Sequence, residues 1–177
     1  MSLLTHLECS VPCGAPPRDP RQWNHLCSCG MPLVARYDLD APAATWSKDS
    51  LRGREPNMWR YRELMPLADG EQPVTLGEGF TPLFHAERLG RELGLTSLYI
   101  KDESLNPTNS FKARGLSAAV TMAKALGTAT VALPTAGNAG GAAAAYAAHA
   151  GIGCVIAMPV DTPSAIILEC RAFGAEV

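Results

Sequence analysis

Lys112 is the residue best placed in this chain for covalent chemistry. It lies in Asn106-Pro107-Thr108-Asn109-Ser110-Phe111-Lys112-Ala113-Arg114-Gly115, where a polar loop leads into a predicted helix. The Ser110 hydroxyl is placed to cap that helix by accepting from a backbone N–H two or three residues on. Leu116, Ala119, Val120, Ala123 and Leu126 recur at helical spacing, and Gly127 offers a stop. A lysine in the first turn beside Phe111 is partly desolvated, which favours the neutral amine. A neutral amine attacks a carbonyl to form a Schiff base. Taken alone, the same lysine reads as an ordinary solvated helix residue, because lysines are rarely buried.

A second stretch changes that balance. The apolar run 129–134 ends in Pro134, and Thr135-Ala136-Gly137-Asn138-Ala139-Gly140-Gly141 opens the next helix. Unpaired amides and the positive end of the helix dipole make such a place an anion site. Ligands of open α/β sheets gather at the carboxyl edge of the strands, where this loop would lie. Close packing of small residues is the plainer explanation of the glycines. Lys112 also follows a strand and starts a helix, so both stretches fall on one edge of a sheet.

The third constellation is a quartet of thiols. Cys9 and Cys13-Gly14 precede a Pro/Arg-rich turn, and Cys27-x-Cys29-Gly30 follows it. Two thiol pairs on two glycine-ended knuckles suit a tetrahedral zinc ion of structural role. Spacings of three and one residues depart from the usual two, and a ribbon that has lost its metal is the competing reading. His6 and His25 are alternative ligands that read more simply as surface histidines. No basic helix follows the cysteines, which argues against a nucleic-acid finger. In a reducing compartment disulfides are disfavoured, so these four read as ligands. Cys154 and Cys170 lie in apolar segments and read as small buried hydrophobes.

The elements that must position these groups alternate. A short helix is predicted over 86–93, with Leu89 and Leu93 four apart and Gly94 as its stop. Ser97 to Glu103 reads as a strand with Leu98-Tyr99-Ile100 as its buried part. Helix 110–126, strand 129–134, helix 138–150, strand 153–158 and helix 163–173 follow, and Ala175-Glu176-Val177 begins another strand. Thr162-Pro163 reads as a cap followed by proline in the first turn, and Ile166, Ile167, Cys170 and Phe173 form an apolar stripe. Such alternation implies an α/β fold, a parallel sheet flanked by helices. Ahead of it, residues 1–40 form a zinc-ribbon-like module, 41–72 a connector with Pro42, Pro56 and Pro66, and 73–177 the α/β domain. Within the connector, Met58 to Leu64 is one or two helical turns. Its aromatics serve either to dock the ribbon or to pack on the main domain.

Composition narrows the function classes. The 177 residues are 47% hydrophobic and 18% charged, below the roughly 25% charge of an average soluble domain, which supports a packed core. A net charge of −2 gives no global attraction to nucleic acid or anionic membranes. No apolar run of membrane-spanning length occurs, and the N-terminus lacks the basic start and apolar core of a signal peptide. A cytoplasmic protein with a small-molecule ligand, and neither nucleic-acid nor membrane partners, is expected.

The motifs resemble the threonine synthase family, pyridoxal-phosphate enzymes of the tryptophan-synthase-β-like fold. The likeness runs through the cysteine ribbon ending Pro32 to Leu39, Leu76-Gly77-Glu78-Gly79-Phe80-Thr81-Pro82-Leu83, and Lys101-Asp102-Glu103. It continues through Asn106 to Gly115, Pro134 to Gly141, Asp161-Thr162-Pro163 and Glu169-Cys170-Arg171. The resemblance implies pyridoxal 5'-phosphate as cofactor, Lys112 as the lysine that binds it covalently and acts in catalysis, and Asn138 as the donor to its ring hydroxyl. Phe111 supplies apolar surface near the ring, and the backbone of Thr135, Ala136 and Gly137 cradles the amino-acid carboxylate. The implied reaction turns O-phospho-L-homoserine and water into L-threonine and phosphate. A threonine or serine dehydratase is the alternative enzyme, and a non-catalytic zinc-ribbon fragment the alternative outside catalysis.

Two departures stand out. Ala136 occupies a position where many relatives have serine, and the family's cofactor-phosphate loop belongs to a second half absent from this sequence. The chain is therefore expected to be a truncated form of the fold, binding cofactor poorly and inactive by itself. Its uncovered faces favour association, a homo-oligomer included.

Overall fold

The computed structural model describes residues 2–40, 47–68 and 70–177, so Pro42 of the expected connector lies outside the described residues. An antiparallel ribbon comes first, β1 (Leu4–Cys9) against β2 (Leu33–Tyr37). A 3-10 turn over Met58–Leu64 follows. Then come β3 (Leu83–His85), α1 (Glu87–Leu93), β4 (Tyr99–Lys101), α2 (Lys112–Ala125), β5 (Thr130–Pro134), α3 (Asn138–Ala150), β6 (Gly153–Ala157) and α4 (Ser164–Ala172). No helix among the described residues is long and apolar enough to cross a membrane.

The α/β class stands, but the single parallel sheet does not. Among the described residues three two-stranded sheets form, and only β5 and β6 pair in parallel. A bridge between Val155 and Glu176 begins a third parallel strand, as the C-terminal residues suggested. β4 instead pairs antiparallel with β3, Phe84 opposite Ile100. The three residues Leu83–His85 were too short to announce a strand beside Thr81-Pro82. Tyr99 and Ile100 are 54% and 47% exposed, against the expectation of a buried strand, because a two-stranded sheet has no layer behind it here. Val74-Thr75-Leu76 forms no strand at all. Its amides are taken by side chains, Val74 N–H donating to Thr121 Oγ1 and Leu76 N–H to Glu78.

Helix α3 is the centre of packing. Gly140 through Tyr146 and Ala147 are buried, and the helix lies against α2, α4, β5 and β6. Small residues let the layers approach: a Cβ on Gly140 would stand 2.9 Å from Met158 Cε and 3.1 Å from Cys170 Sγ. Among the described residues, only one face of the parallel pair is covered. Val131, Leu133, Cys154 and Ile156 pack into the core with Ala143, Ala147 and Cys170, while Thr130, Ala132, Val155 and Ala157 remain exposed. The two late cysteines are buried, and burial raises both thiols above their ordinary range.

Two helix ends follow local chemistry and one does not. Ser110 Oγ accepts from Lys112 N–H at 3.0 Å, and Gly94 ends α1 with a left-handed φ of 70°. Thr162 does not cap α4: its hydroxyl is buried without a hydrogen-bond partner among the described residues, and the extended Pro163 takes the residue before the helix. Leu89 and Leu93 are exposed, because α1 packs through Gly90 on another side.

At the core sits a buried carboxylate. Glu78 is fully buried and accepts from Trp59 Nε1 (2.8 Å), Ser117 Oγ (2.5 Å), Thr75 Oγ1 (3.0 Å), Leu76 N–H (3.0 Å) and Tyr146 Oη (2.5 Å). Burial pushes its carboxyl upward, but donation from Ser117, Tyr146 and nearby amides outweighs this and holds it below the ordinary range. Tyr146 is pushed well up by burial and by its bond to Glu78. Replacing Glu78 by alanine strands the Tyr146 hydroxyl and opens a cavity in the interior, while Trp59 Nε1 keeps Ser117 Oγ and Ser117 Oγ keeps Val74 O as acceptors. We expect Glu78→Ala to lose about 3 kcal/mol or more of unfolding free energy in urea titration; a loss below about 1 kcal/mol contradicts this account.

Candidate active site and cysteine cluster

The lysine loop is built by strain and hydrogen bonding together. Thr108 and Asn109 both have left-handed backbones, φ 58° and 51°, unfavourable for residues other than glycine. The turn is held by Asn109 N–H donating to Asn106 O at 2.9 Å. Asn106, itself buried, accepts from Gly79 N–H at 3.0 Å and donates to Glu103 O and Oε2, each at 2.9 Å. The chain then returns to an extended conformation at Ser110 and enters α2. Lys112 is half-buried in the first turn, its Nζ 4.4 Å from the centroid of the exposed Phe111 ring. Phe111 thus supplies an apolar face beside the amine.

A polar cluster that sequence reasoning left without a role braces this loop. Glu103 accepts from Arg114 Nε at 2.6 Å and Nη2 at 2.8 Å, and from Thr81 Oγ1 at 2.5 Å. Lys101 Nζ donates to Thr81 O. The fork of Arg114, two residues beyond Lys112, therefore ties the start of α2 to the segment after β4. The signal in the sequence was weak: an Asp-Glu pair before the loop and an arginine after it, with nothing to say that they meet.

The second stretch begins α3. Gly137 precedes Asn138, whose side chain is exposed and makes no hydrogen bond among the described residues. Two of the three cradle amides have acceptors: Thr135 N–H donates to Ala157 O at 3.0 Å, and Gly137 N–H to Thr135 Oγ1 at 3.2 Å. Ala136 and the first amides of α3 carry the orphan donors expected at a helix N-terminus. A Cβ on Gly137 would meet nothing within 4 Å, so the backbone is open to approach there. Helix α3 packs on α2 and on the 107–109 turn, which brings the lysine loop and the asparagine loop to neighbouring elements.

The four early cysteines converge as well. Their sulfurs all lie within 4.8 Å of one another, with Cys9–Cys29 and Cys13–Cys27 at 3.5 Å. Four sulfurs about 2.3 Å from a central zinc would be roughly 3.8 Å apart, so the set has the right size for that ion. Cys27 is held down to about 6, chiefly by the Cys29 amide. At Cys9 the Val11 amide works downward, but burial and the neighbouring sulfurs push the thiol up to about 12. Mutual repulsion of this kind is relieved by a cation at the centre.

The profile of the family described as "Pyridoxal-phosphate dependent enzyme" matches residues 74–177. The chain belongs to this family. Among curated relatives, threonine synthase of Methanocaldococcus jannaschii is 39% identical over 154 residues, covering 86% of this chain and 38% of that enzyme. Threonine synthase of Methanosarcina acetivorans is 40% identical over 158 residues, covering 88% of this chain and 37% of that enzyme. The chain thus spans well under half the length of the curated relatives it matches. Among solved structures, O-ureido-L-serine synthase bound to O-ureido-L-serine superposes with a TM-score of 0.52 at 31% identity, over 63% of this chain and 34% of that one.

For a pyridoxal-phosphate enzyme the residues at hand suit the cofactor. A primary amine on a helix start, an unpaired side-chain amide and two helix N-termini match an aldehyde, a ring hydroxyl and anionic groups. Bracing of the lysine loop carries a pH signature. Donation from Arg114, then Thr81, lowers Glu103 from 4.5 to about 2. A depressed folded value means that this stabilisation is complete above about 4.5 and fades as pH falls toward 2. We expect Arg114→Met to flatten the acid limb of the stability profile between those values, measured by urea unfolding at several pH values; an unchanged acid limb contradicts it.

Proposed function

We infer that this chain carries the lysine and asparagine loops of a threonine synthase, which converts O-phospho-L-homoserine and water to L-threonine and phosphate. The observation that carries the reading is the pairing of Lys112 at the start of α2 with Asn138 at the start of α3, the latter helix packed on the turn before Lys112. Identity of about two-fifths to threonine synthases across most of this chain supports it. In this reading residues 1–40 are a metal-held ribbon, 41–72 a connector and 73–177 the cofactor-binding part.

Pyridoxal phosphate, when bound, supplies a carbonyl for amines and a conjugated ring that accepts electron density from substrate carbon. Lys112 Nζ would hold the cofactor and would carry protons to and from the substrate as a general base and acid. The Asn138 amide orients the ring through its hydroxyl. The Ala136 amide and the first amides of α3 hold the substrate carboxylate. Gly137 N–H joins them by exchanging Thr135 Oγ1 for the ligand. Phe111 shields one side of the amine from water.

Treatment with pyridoxal phosphate and borohydride, followed by peptide mapping, tests the lysine assignment directly. Of the four lysines in the sequence, Lys112 should carry the reduced label, and Lys112→Ala should lose more than about nine-tenths of it. Dominant label on Lys101 or Lys124 overturns the assignment. With the family's second half supplied, product analysis separates the reactions: threonine and phosphate from O-phospho-L-homoserine support a synthase, whereas 2-oxobutyrate from threonine supports a dehydratase.

Zinc at Cys9, Cys13, Cys27 and Cys29 is the second element of the proposal, supported by the spacing of the four sulfurs. Protein purified under reducing conditions without chelator should contain about one zinc per chain. Elemental analysis that finds no metal removes zinc from the reading.

A further inference from the structure

The cysteine cluster has an internal asymmetry that a metal site does not need. Two sulfur pairs stand at 3.5 Å, and both cross between the knuckles: Cys9 with Cys29, and Cys13 with Cys27. Each pair joins one more accessible thiol to one less accessible. Cys29 and Cys13 are exposed, whereas Cys9 is half-buried and Cys27 is buried. An open hollow of about 360 Å³, lined by Glu8, residues 9–15 and Arg36, gives small solutes access to the Cys9–Cys13 side. All six cysteines are free thiols.

We propose that Cys9–Cys29 and Cys13–Cys27 are two redox pairs, closed to disulfides by a two-electron oxidant of the peroxide class. Exposure selects the sulfur that is oxidised first. At Cys13 the peroxide O–O bond breaks, one oxygen joins Sγ as a sulfenic acid, and the other leaves as water with the thiol proton. Cys27 Sγ then attacks Cys13 Sγ. The S–O bond breaks, and the departing hydroxide takes the Cys27 proton as a second water. Two thiols and one peroxide give one disulfide and two waters, with two electrons passing from sulfur to oxygen. Cys29 and Cys9 repeat the step with a second peroxide.

Geometry favours these pairs over bridges inside a knuckle. A disulfide bond is about 2.05 Å long, so each cross pair closes by a small movement of side chains already facing each other. Only Ser28 separates Cys27 from Cys29, and a bridge between them closes a small strained ring. The ribbon keeps its shape on oxidation, because the cross bridges tie the end of β1 to the second knuckle as a central cation would. Any divalent cation held by the four thiolates is expelled, since disulfide sulfur is a poor ligand. The inference stands on the sulfur geometry and holds whether or not the cluster carries zinc.

The test is hydrogen peroxide titration of the purified chain, alkylation of remaining thiols, and peptide mapping without reduction. The expected map has Cys9 linked to Cys29 and Cys13 to Cys27, a loss of four hydrogens, with both links reversed by dithiothreitol. Cys154 and Cys170, being buried, should stay alkylatable and react at least about tenfold more slowly. Cys27→Ser should leave Cys13 trapped as a sulfenic acid by a 1,3-dione probe while the Cys9–Cys29 link still forms. Links within the knuckles, scrambled links, or sulfinic acids without links overturn the proposal. If zinc is present, a chromogenic chelator should report its release in step with the links. Correct links without any zinc overturn the metal assignment alone.

Discussion

A single buried carboxylate, Glu78, holds the two helices that bear the candidate chemistry. Its oxygens accept from Ser117 on α2 and Tyr146 on α3, and from Trp59 of the turn that follows the ribbon. Its own carbonyl accepts from Met58 N–H at 2.8 Å. A charge in an apolar interior is tolerated only when its lone pairs are satisfied, and five donors satisfy it here. Because Trp59, Ser117 and Tyr146 come from three separate segments, the carboxylate sets where α2, α3 and the connector lie relative to one another. The adjoining Gly79 is forced by the same crowding: its φ is 102°, and a Cβ would sit 2.7 Å from Met58 N.

From this hub the order spreads outward to the lysine loop. Gly79 N–H reaches Asn106, Asn106 reaches Glu103, and Glu103 grips Arg114, two residues past Lys112. The left-handed Thr108 and Asn109 are tolerated because this network specifies the path on both sides of them. Lys112 therefore sits on a rigid support, which is what covalent chemistry with a small cofactor requires. Across from it, α3 begins with amides and an asparagine that have no partner among the described residues. Its buried glycines and alanines let it lie close to α2 and α4.

The ribbon is attached by different means. Leu3 N–H donates to Glu63 O, Ser2 Oγ to Met65 O, and Arg54 clasps Glu63 through both guanidinium nitrogens at 2.8 Å. Of the connector aromatics, Trp59 is buried against the main body while Tyr61 stays exposed. The tryptophan thus anchors to the α/β portion, and Ser2 and Leu3, just ahead of β1, join the ribbon to the same turn. The four thiols gather at the far end of the ribbon, where only Cys27 among them is buried.

By itself the sequence determined the helices α2, α3 and α4, the strands β5 and β6, the Ser110 cap, and the thiol quartet. These depend on short-range periodicity, capping and spacing, which are local and therefore legible. It also marked Lys112 and Asn138 as helix starts, but the single sheet edge expected to hold them both does not form, because β4 pairs with β3 apart from the parallel pair. Tertiary structure alone decided the antiparallel partner of β4, the exposed face of the parallel pair, and the unpaired Thr162 hydroxyl. It alone joined Glu78 to Ser117 and Tyr146, 39 and 68 residues away in the chain. Glu103 and Arg114 belong to the same class. A glutamate in sequence reads as solvated, and only the convergence of distant donors makes burial of its charge affordable.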